Sequence, residues 1–206
     1  MEGGGVWLMV LAAVGGYGLG SVPFGLILTR AVGLGDIRAI GSGNIGATNV
    51  LRTGNKPLAL ATLLLDGGKG AVAVLLAGLA GGDEAALAAA GAMLGHTFPV
   101  WLGFRGGKGV ATALGILLAA AWPVGVAACL IWLATAAVFR ISSLAALVAI
   151  GTSPLIGWAL AGERLALVAA FIAVLVTLRH EANIRRLVRG EEPRIAPGRK
   201  PQGPTS

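Results

Sequence analysis

The chain has 206 residues, is 56% hydrophobic and only 12% charged, and carries a formal net charge of +7. That balance excludes an ordinary soluble domain and points to a membrane protein. Its 34 glycines suit helices that approach closely in a bilayer, and its single cysteine, Cys129, excludes an intrachain disulfide and reads as a small core residue.

The chain turns apolar at Val6, and Glu2 stands where a signal peptide would carry basic residues. A cleavable signal is therefore not expected, and the first span stays, with the N-terminus outside. A spanning helix needs roughly 20 mostly apolar residues. On that measure the first span covers 6–29. A polar segment follows, and Pro57, well placed at a helix start, opens a second span over 57–80. Asp83 and Glu84 mark a turn before a third over 85–101. The fourth, 110–121, is short and expected to be tilted or partly inserted. Trp122-Pro123 ends it, and further spans cover 124–139, 142–160 and 165–178. The expected fold is all-α: a polytopic integral membrane bundle of seven transmembrane helices. One domain covers 1–196, and 197–206 form a disordered polar tail.

The charges orient this bundle. One side collects Arg30, Arg38, Arg52, Lys56, Arg105, Lys108, Arg140 and the basic C-terminal segment. The other side holds only Arg164, with Glu2, Asp83, Glu84 and Glu163. By the positive-inside rule the C-terminus is cytoplasmic. Topology accounts for the basic balance, with a contribution from anionic lipid head groups. No nucleic-acid partner is implied.

Three polar segments then fall on the cytoplasmic face. The first is Gly41-Ser42-Gly43-Asn44-Ile45-Gly46-Ala47-Thr48-Asn49, followed by Arg52 and Lys56. Glycines permit close backbone approach to a ligand, and Ser42, Asn44, Thr48 and Asn49 add donors and acceptors. The same residue types suit a turn with a helix cap. The second is Gly106-Gly107-Lys108-Gly109, just before a helix starting near Val110. Backbone N–H groups at a helix N-terminus with a lysine among them suit an anion. It is not a nucleotide P-loop, because Lys108 is followed by glycine and no strand precedes it. The third is Arg179-His180-Glu181-Ala182-Asn183 at the end of the last span. His180 and Asn183, three apart, share a helix face. His180 suits a general base or a phosphate donor. His96 ends the third span and suits either a site or an interfacial anchor. Asp66 and Lys69 are the odd pair, charged and three apart inside an apolar run. They pair with each other or with the bundle, or they touch substrate directly. Zinc-ligand clusters and a G-x-S-x-G elbow are both lacking, and neither histidine has an aspartate five residues on.

Taken together these segments resemble the bacterial membrane acyl-phosphate:glycerol-3-phosphate acyltransferase family (PlsY). The resemblance runs over nearly the whole chain. It includes the first motif through Arg52, Asp66 with Lys69-Gly70, Gly95-His96, Phe98-Pro99, Gly103-Phe104, Gly106 to Thr112, Ser143-Leu144, and Arg179-His180 with Asn183-Ile184 and Arg186-Leu187. It implies seven spans with an outside N-terminus. It also implies transfer of an acyl group from long-chain acyl phosphate to the 1-hydroxyl of glycerol 3-phosphate, giving lysophosphatidic acid and phosphate. No cofactor or metal is implied. By resemblance Ser42, Arg52, Lys108, His180 and Asn183 line the site, with Ser143 beside the substrate phosphate. Ala146 stands where the family can carry a serine. The expected catalytic set is therefore His180, Asn183 and Ser42. The expected phosphate-binding set is Gly41, Ser42, Gly43, Asn44, Thr48, Asn49, Arg52, Gly106, Gly107, Lys108, Gly109 and Ser143. The acyl chain is expected to enter laterally from the inner leaflet of the bacterial inner membrane. A competing reading is a transporter of a phosphorylated solute, since glycine-broken polar segments between spans also suit that task.

Overall fold

The computed structural model describes residues 3–195, so the expected polar tail lies outside the described residues. In chain order the helices are α1 (Gly3–Gly20), α2 (Phe24–Ala31), α3 (Ala47–Leu51), α4 (Lys56–Gly78) and α5 (Gly82–Thr97), then α6 (Val110–Ala120), α7 (Trp122–Phe139), α8 (Ser142–Ala161), α9 (Glu163–Arg179) and α10 (Glu181–Val188). Five helical segments are long and apolar enough to cross a membrane: Gly5–Ala31, Lys56–Gly78, Gly82–Leu102, Trp122–Phe139 and Ser142–Ala161. The pair α9 and α10 makes a sixth if counted as one span bent by 66°. The expected fourth span is the 11-residue α6. It rises about 16 Å, roughly half of a bilayer's hydrocarbon thickness.

The first expected helix is interrupted. Pro23 has no N–H to donate and disfavours helical backbone at Val22, so the chain breaks between α1 and α2. The segment between α2 and α3 is irregular but anchored. Leu26, Ile37, Ile45, Val50, Leu58 and Ala59 form a small apolar cluster beneath it. Asp36 accepts from the Arg38 amide at 3.0 Å and pairs with Arg30 and Arg38, committing those two cations to the turn.

Small residues set the helix spacing, as the composition implies. A Cβ on Gly16 or Gly20 would lie 2.3 or 2.1 Å from the carbonyl oxygens of Ala88 and Ala92. One on Gly91 or Gly95 would lie 2.2 Å from the carbonyl oxygens of Ala13 and Tyr17. These four-residue spacings bring the backbones of α1 and α5 into direct contact. The main core runs through α4, α5, α6, α7, α8 and α9, with Met93, Ile116, Leu117, Ile150 and Ile172 at its centre. The three polar segments meet at one end of this bundle.

Candidate active site

The first motif is a loop held from within. Gly41 and Gly43 take φ of +57° and +69°, which favour glycine. The Asn49 amide, 2% exposed, donates to the carbonyls of Ile37, Ile40 and Asn44 at 3.0, 2.9 and 2.8 Å. Its Oδ1 accepts from the Ser42 amide at 3.0 Å. Asn49 was expected to hold phosphate. Its side chain is instead spent on carbonyls that the irregular backbone leaves unpaired. Ser42, Thr48 and Arg52 remain exposed. The Arg52 side chain lies over Gly41, where a Cβ would meet its Cδ at 3.0 Å. Thr48 Oγ1 lies 3.3 Å from Ser142 Oγ and so joins this motif to the start of α8. Asn44 Oδ1 is buried without a hydrogen-bond partner among the described residues.

The glycine loop is seated against α5. Gly106 N–H donates to the Thr97 carbonyl at 3.1 Å and Gly107 N–H to the His96 carbonyl at 3.0 Å. Arg179 clamps the loop from the other side, donating to the carbonyls of Gly106 and Gly107 at 3.0 and 3.3 Å while lying over the Phe98 ring. The expectation that both glycine amides face an anion is thus corrected. Both are committed to backbone carbonyls, while the loop's other two amides, those of Lys108 and Gly109 beside the start of α6, have no backbone acceptor among the described residues. Gly109, at φ +83°, makes the turn into the helix.

Lys108 is the centre of the charge cluster. Its ammonium donates to Asn183 Oδ1 at 2.5 Å. Asn183 Nδ2 donates to Glu192 Oε1 at 2.5 Å, and Ser143 Oγ donates to the same oxygen at 2.7 Å. Arg186 Nε donates to Glu192 Oε2 at 2.6 Å. Lys108, Asn183 and Ser143, from three distant stretches of sequence, are therefore one hydrogen-bonded chain. Burial pushes Lys108 down to about 8; Glu192 opposes that, and Arg186, Arg52 and Arg179 add to it. A lysine so crowded by cations favours an incoming dianion.

His180 is the N-cap of α10, the short helix whose first turn carries Asn183, and its carbonyl accepts from the Ile184 N–H at 2.8 Å. It stands at the 66° bend, just past the end of α9, and is 2% exposed. Its Nδ1 lies 2.8 Å from the Val176 carbonyl. A carbonyl only accepts, so Nδ1 carries the proton and Nε2 of the neutral ring is left as an acceptor. Burial lowers its pKa to about 4; the Val176 bond opposes this, Lys108 adds to it, and Glu192 opposes it.

Sequence reasoning missed Glu192. Residues 191–195 fold back as a strap over the site end of the bundle, with Ile195 N–H donating to the Arg140 carbonyl at 2.6 Å and Arg140 donating to the Ile195 carbonyl at 3.2 Å. Burial raises the Glu192 pKa, but hydrogen bonds from Ser143, Asn183 and Arg186 outweigh it and hold the carboxyl below the ordinary glutamate value. A carboxylate in a basic segment was the only available signal.

Residues 10–190 match the family described as glycerol-3-phosphate acyltransferase. The chain belongs to that family. A glycerol-3-phosphate acyltransferase of Cereibacter sphaeroides is 66% identical over 93% of this chain and 96% of its own length. One of Paramagnetospirillum magneticum is 65% identical over the same shares. Among solved structures, a crystal structure of PlsY (YgiH), an integral membrane glycerol 3-phosphate acyltransferase in its glycerol 3-phosphate form, superposes with a TM-score of 0.84. It is 35% identical and covers 93% of this chain and 95% of that one. The lysophosphatidic acid form gives 0.81 at 35% identity over 92% and 94%. This glycerol-3-phosphate acyltransferase family member is thus a multi-pass membrane protein, and its charged cluster sits where apolar helices end.

Proposed function

We propose that the protein transfers the acyl group of a long-chain acyl phosphate to the 1-hydroxyl of glycerol 3-phosphate, on the cytoplasmic face of a bacterial inner membrane. The observation that carries this is the Lys108–Asn183 bond beside Ser143 and Arg186, with Arg52 close enough to act on Lys108. Lys108, with two ammonium protons left beyond its bond to Asn183, and the exposed Arg52 suit two phosphate-bearing reactants held side by side, while Glu192 holds Asn183, Ser143 and Arg186 around them. Such alignment supplies several of the roughly 7–11 kcal/mol that positioning can contribute. The relatives' names and the two ligand forms of the solved structure support glycerol 3-phosphate as acceptor and lysophosphatidic acid as product. A transporter would need polar groups at the midplane open to both faces. The buried Asp66–Lys69 pair is too enclosed for that, and family membership favours the enzyme.

In this reading the hydroxyl oxygen attacks the acyl carbonyl carbon, and the tetrahedral adduct collapses with loss of phosphate. The hydroxyl proton goes to a substrate phosphate oxygen, and His180 Nε2 accepts a hydrogen bond that orients the hydroxyl. A ring with pKa of about 4 is a weak base at neutral pH, whereas phosphate esters titrate near ~6. Acyl phosphate is already activated, so neither nucleotide nor coenzyme A is needed, and the acyl chain enters sideways between helices. The deciding experiment supplies purified protein with palmitoyl phosphate and glycerol 3-phosphate and follows phosphate release. Turnover with palmitoyl phosphate and none with palmitoyl-coenzyme A is expected. Comparable turnover with the thioester would overturn the donor assignment.

A further inference from the structure

A second polar cluster lies against the glycine loop at Gly107. Lys69 Nζ donates to Asp66 Oδ1 at 2.8 Å and to the Val22 carbonyl at 2.7 Å. The two side chains are only 3% and 2% exposed. Thr112 Oγ1 donates to the Asp66 carbonyl at 2.9 Å, tying the first turn of α6 to α4. The pair therefore joins the α1–α2 break, α4 and α6. A buried ion pair is weak evidence for stability, because desolvation offsets its attraction. Charges kept inside an apolar span call for another role.

His96 connects this pair to the loop. The ring is 4% exposed. Its Nδ1 faces Asp66 Oδ1 at 3.8 Å and has no hydrogen-bond partner among the described residues. Its other end is aimed at Gly107. A Cβ added there would lie 2.2 Å from Nε2, with Cε1 and Cδ2 behind at 3.0 and 3.1 Å. The same residue's carbonyl accepts the Gly107 N–H at 3.0 Å. Side chain and main chain of His96 thus grip one glycine, and Lys108 is the next residue. The imidazole fills the space between a fixed carboxylate and the loop, which explains why position 107 has no side chain.

We infer that His96, set in place by the buried Asp66–Lys69 pair, is a positioning residue that seats Gly106-Gly107 so that Lys108 presents its charge to a substrate phosphate. This rests on the acyltransferase reading above. Asp66 and Lys69 then act through His96, which removes the direct substrate contact left open by the sequence. The loop sits between two supports, His96 beneath and Arg179 above, and a shift in either moves Lys108.

The test uses the full chain in detergent with palmitoyl phosphate and glycerol 3-phosphate. Wild-type turnover in the same preparation separates failure of the acyltransferase reading from failure of this one. In His96→Asn the amide reaches the Nδ1 position but not Gly107. Its KM for glycerol 3-phosphate should rise at least about tenfold with kcat within about threefold, the pattern of lost binding rather than lost chemistry. His96→Gln, which reaches toward the Nε2 position, should recover most of that KM. Coupling to the loop is read from Gly107→Ala. Its new Cβ collides with the ring in wild type but not in His96→Asn, so its KM penalty of about tenfold should fall below about threefold in that background. Stabilisation of each variant by glycerol 3-phosphate, measured by thermal unfolding, gives the same comparison without turnover. Equal penalties for Gly107→Ala in both backgrounds, or loss of kcat at unchanged KM in His96→Asn, overturn the inference.

Discussion

Lys108 is the residue on which binding turns, and its environment sets a pH dependence. With a pKa of about 8 in the free protein, it is mostly charged at pH 7 and loses its proton as pH rises through that value. KM for glycerol 3-phosphate should therefore climb above about pH 8, and Lys108→Arg should remove this limb because guanidinium stays charged. Lys108→Ala removes the donor altogether and should cost about 2–4 kcal/mol in kcat/KM. At His180 the folded-state pKa of about 4 lies below the ordinary 6.5. The unfolded chain then takes up a proton that the folded one refuses. The stability contribution is present above 6.5 and lost as pH falls toward 4. A thermal-unfolding series in detergent should show that decline, and His180→Asn should flatten it. If substrate phosphate takes the proton, His180→Asn should also keep appreciable activity and a pH–rate limb near ~6. Complete inactivity of the folded variant, with loss of that limb, would return the base to His180.

Among the elements, the contact of α1 with α5 and the strap over α8 and α10 are the sharpest structural tests. Gly95→Val places a branched side chain where even a Cβ would lie 2.2 Å from the Tyr17 carbonyl oxygen. Prising the two helices apart should cost at least about 1–3 kcal/mol, measured as a lower unfolding temperature. The strap depends on one carboxylate. Glu192→Ala leaves the donors of Ser143, Asn183 and Arg186 without their common acceptor. A loss of about 1–3 kcal/mol is expected for such stranded groups. Limited proteolysis should then cut residues 191–195 more readily, and Glu192→Gln, which keeps an acceptor oxygen, should be cut at an intermediate rate.

For the whole molecule the charge asymmetry predicts which end faces which compartment. The site end carries Arg52, Lys108, Arg140 and Arg186, and the opposite turns carry Asp83 and Glu163. In a chain with Cys129 replaced, Asp83→Cys and Glu163→Cys should react with an impermeant thiol reagent on intact cells. Gly107→Cys and Gly190→Cys should react only after lysis. Labelling of position 107 from outside would invert the proposed orientation.

Composition and apolar run length, read along the chain, were enough to place the helices α4, α5, α7 and α8, because the bilayer imposes length and hydropathy on each segment separately. The three polar motifs and the family resemblance were legible for the same reason: each is a local string. Which atoms of those strings face a ligand was not local. Asn49 looked like a phosphate ligand until three loop carbonyls claimed its amide. Gly106 and Gly107 looked like open donors until the end of α5 took their N–H groups. His180 and Asn183 looked like the end of the last span until the chain bent by 66° between α9 and α10, which sets both at the start of a separate helix. Glu192 found its partners only because that bend returns the chain over Ser143. The bonds of Asn49, Gly106 and Gly107 span up to about a dozen positions of irregular backbone, and that of Ser143 to Glu192 spans 49; each depends on how the chain turns and the helices pack, which is set by glycine contacts that act only once the bundle has closed.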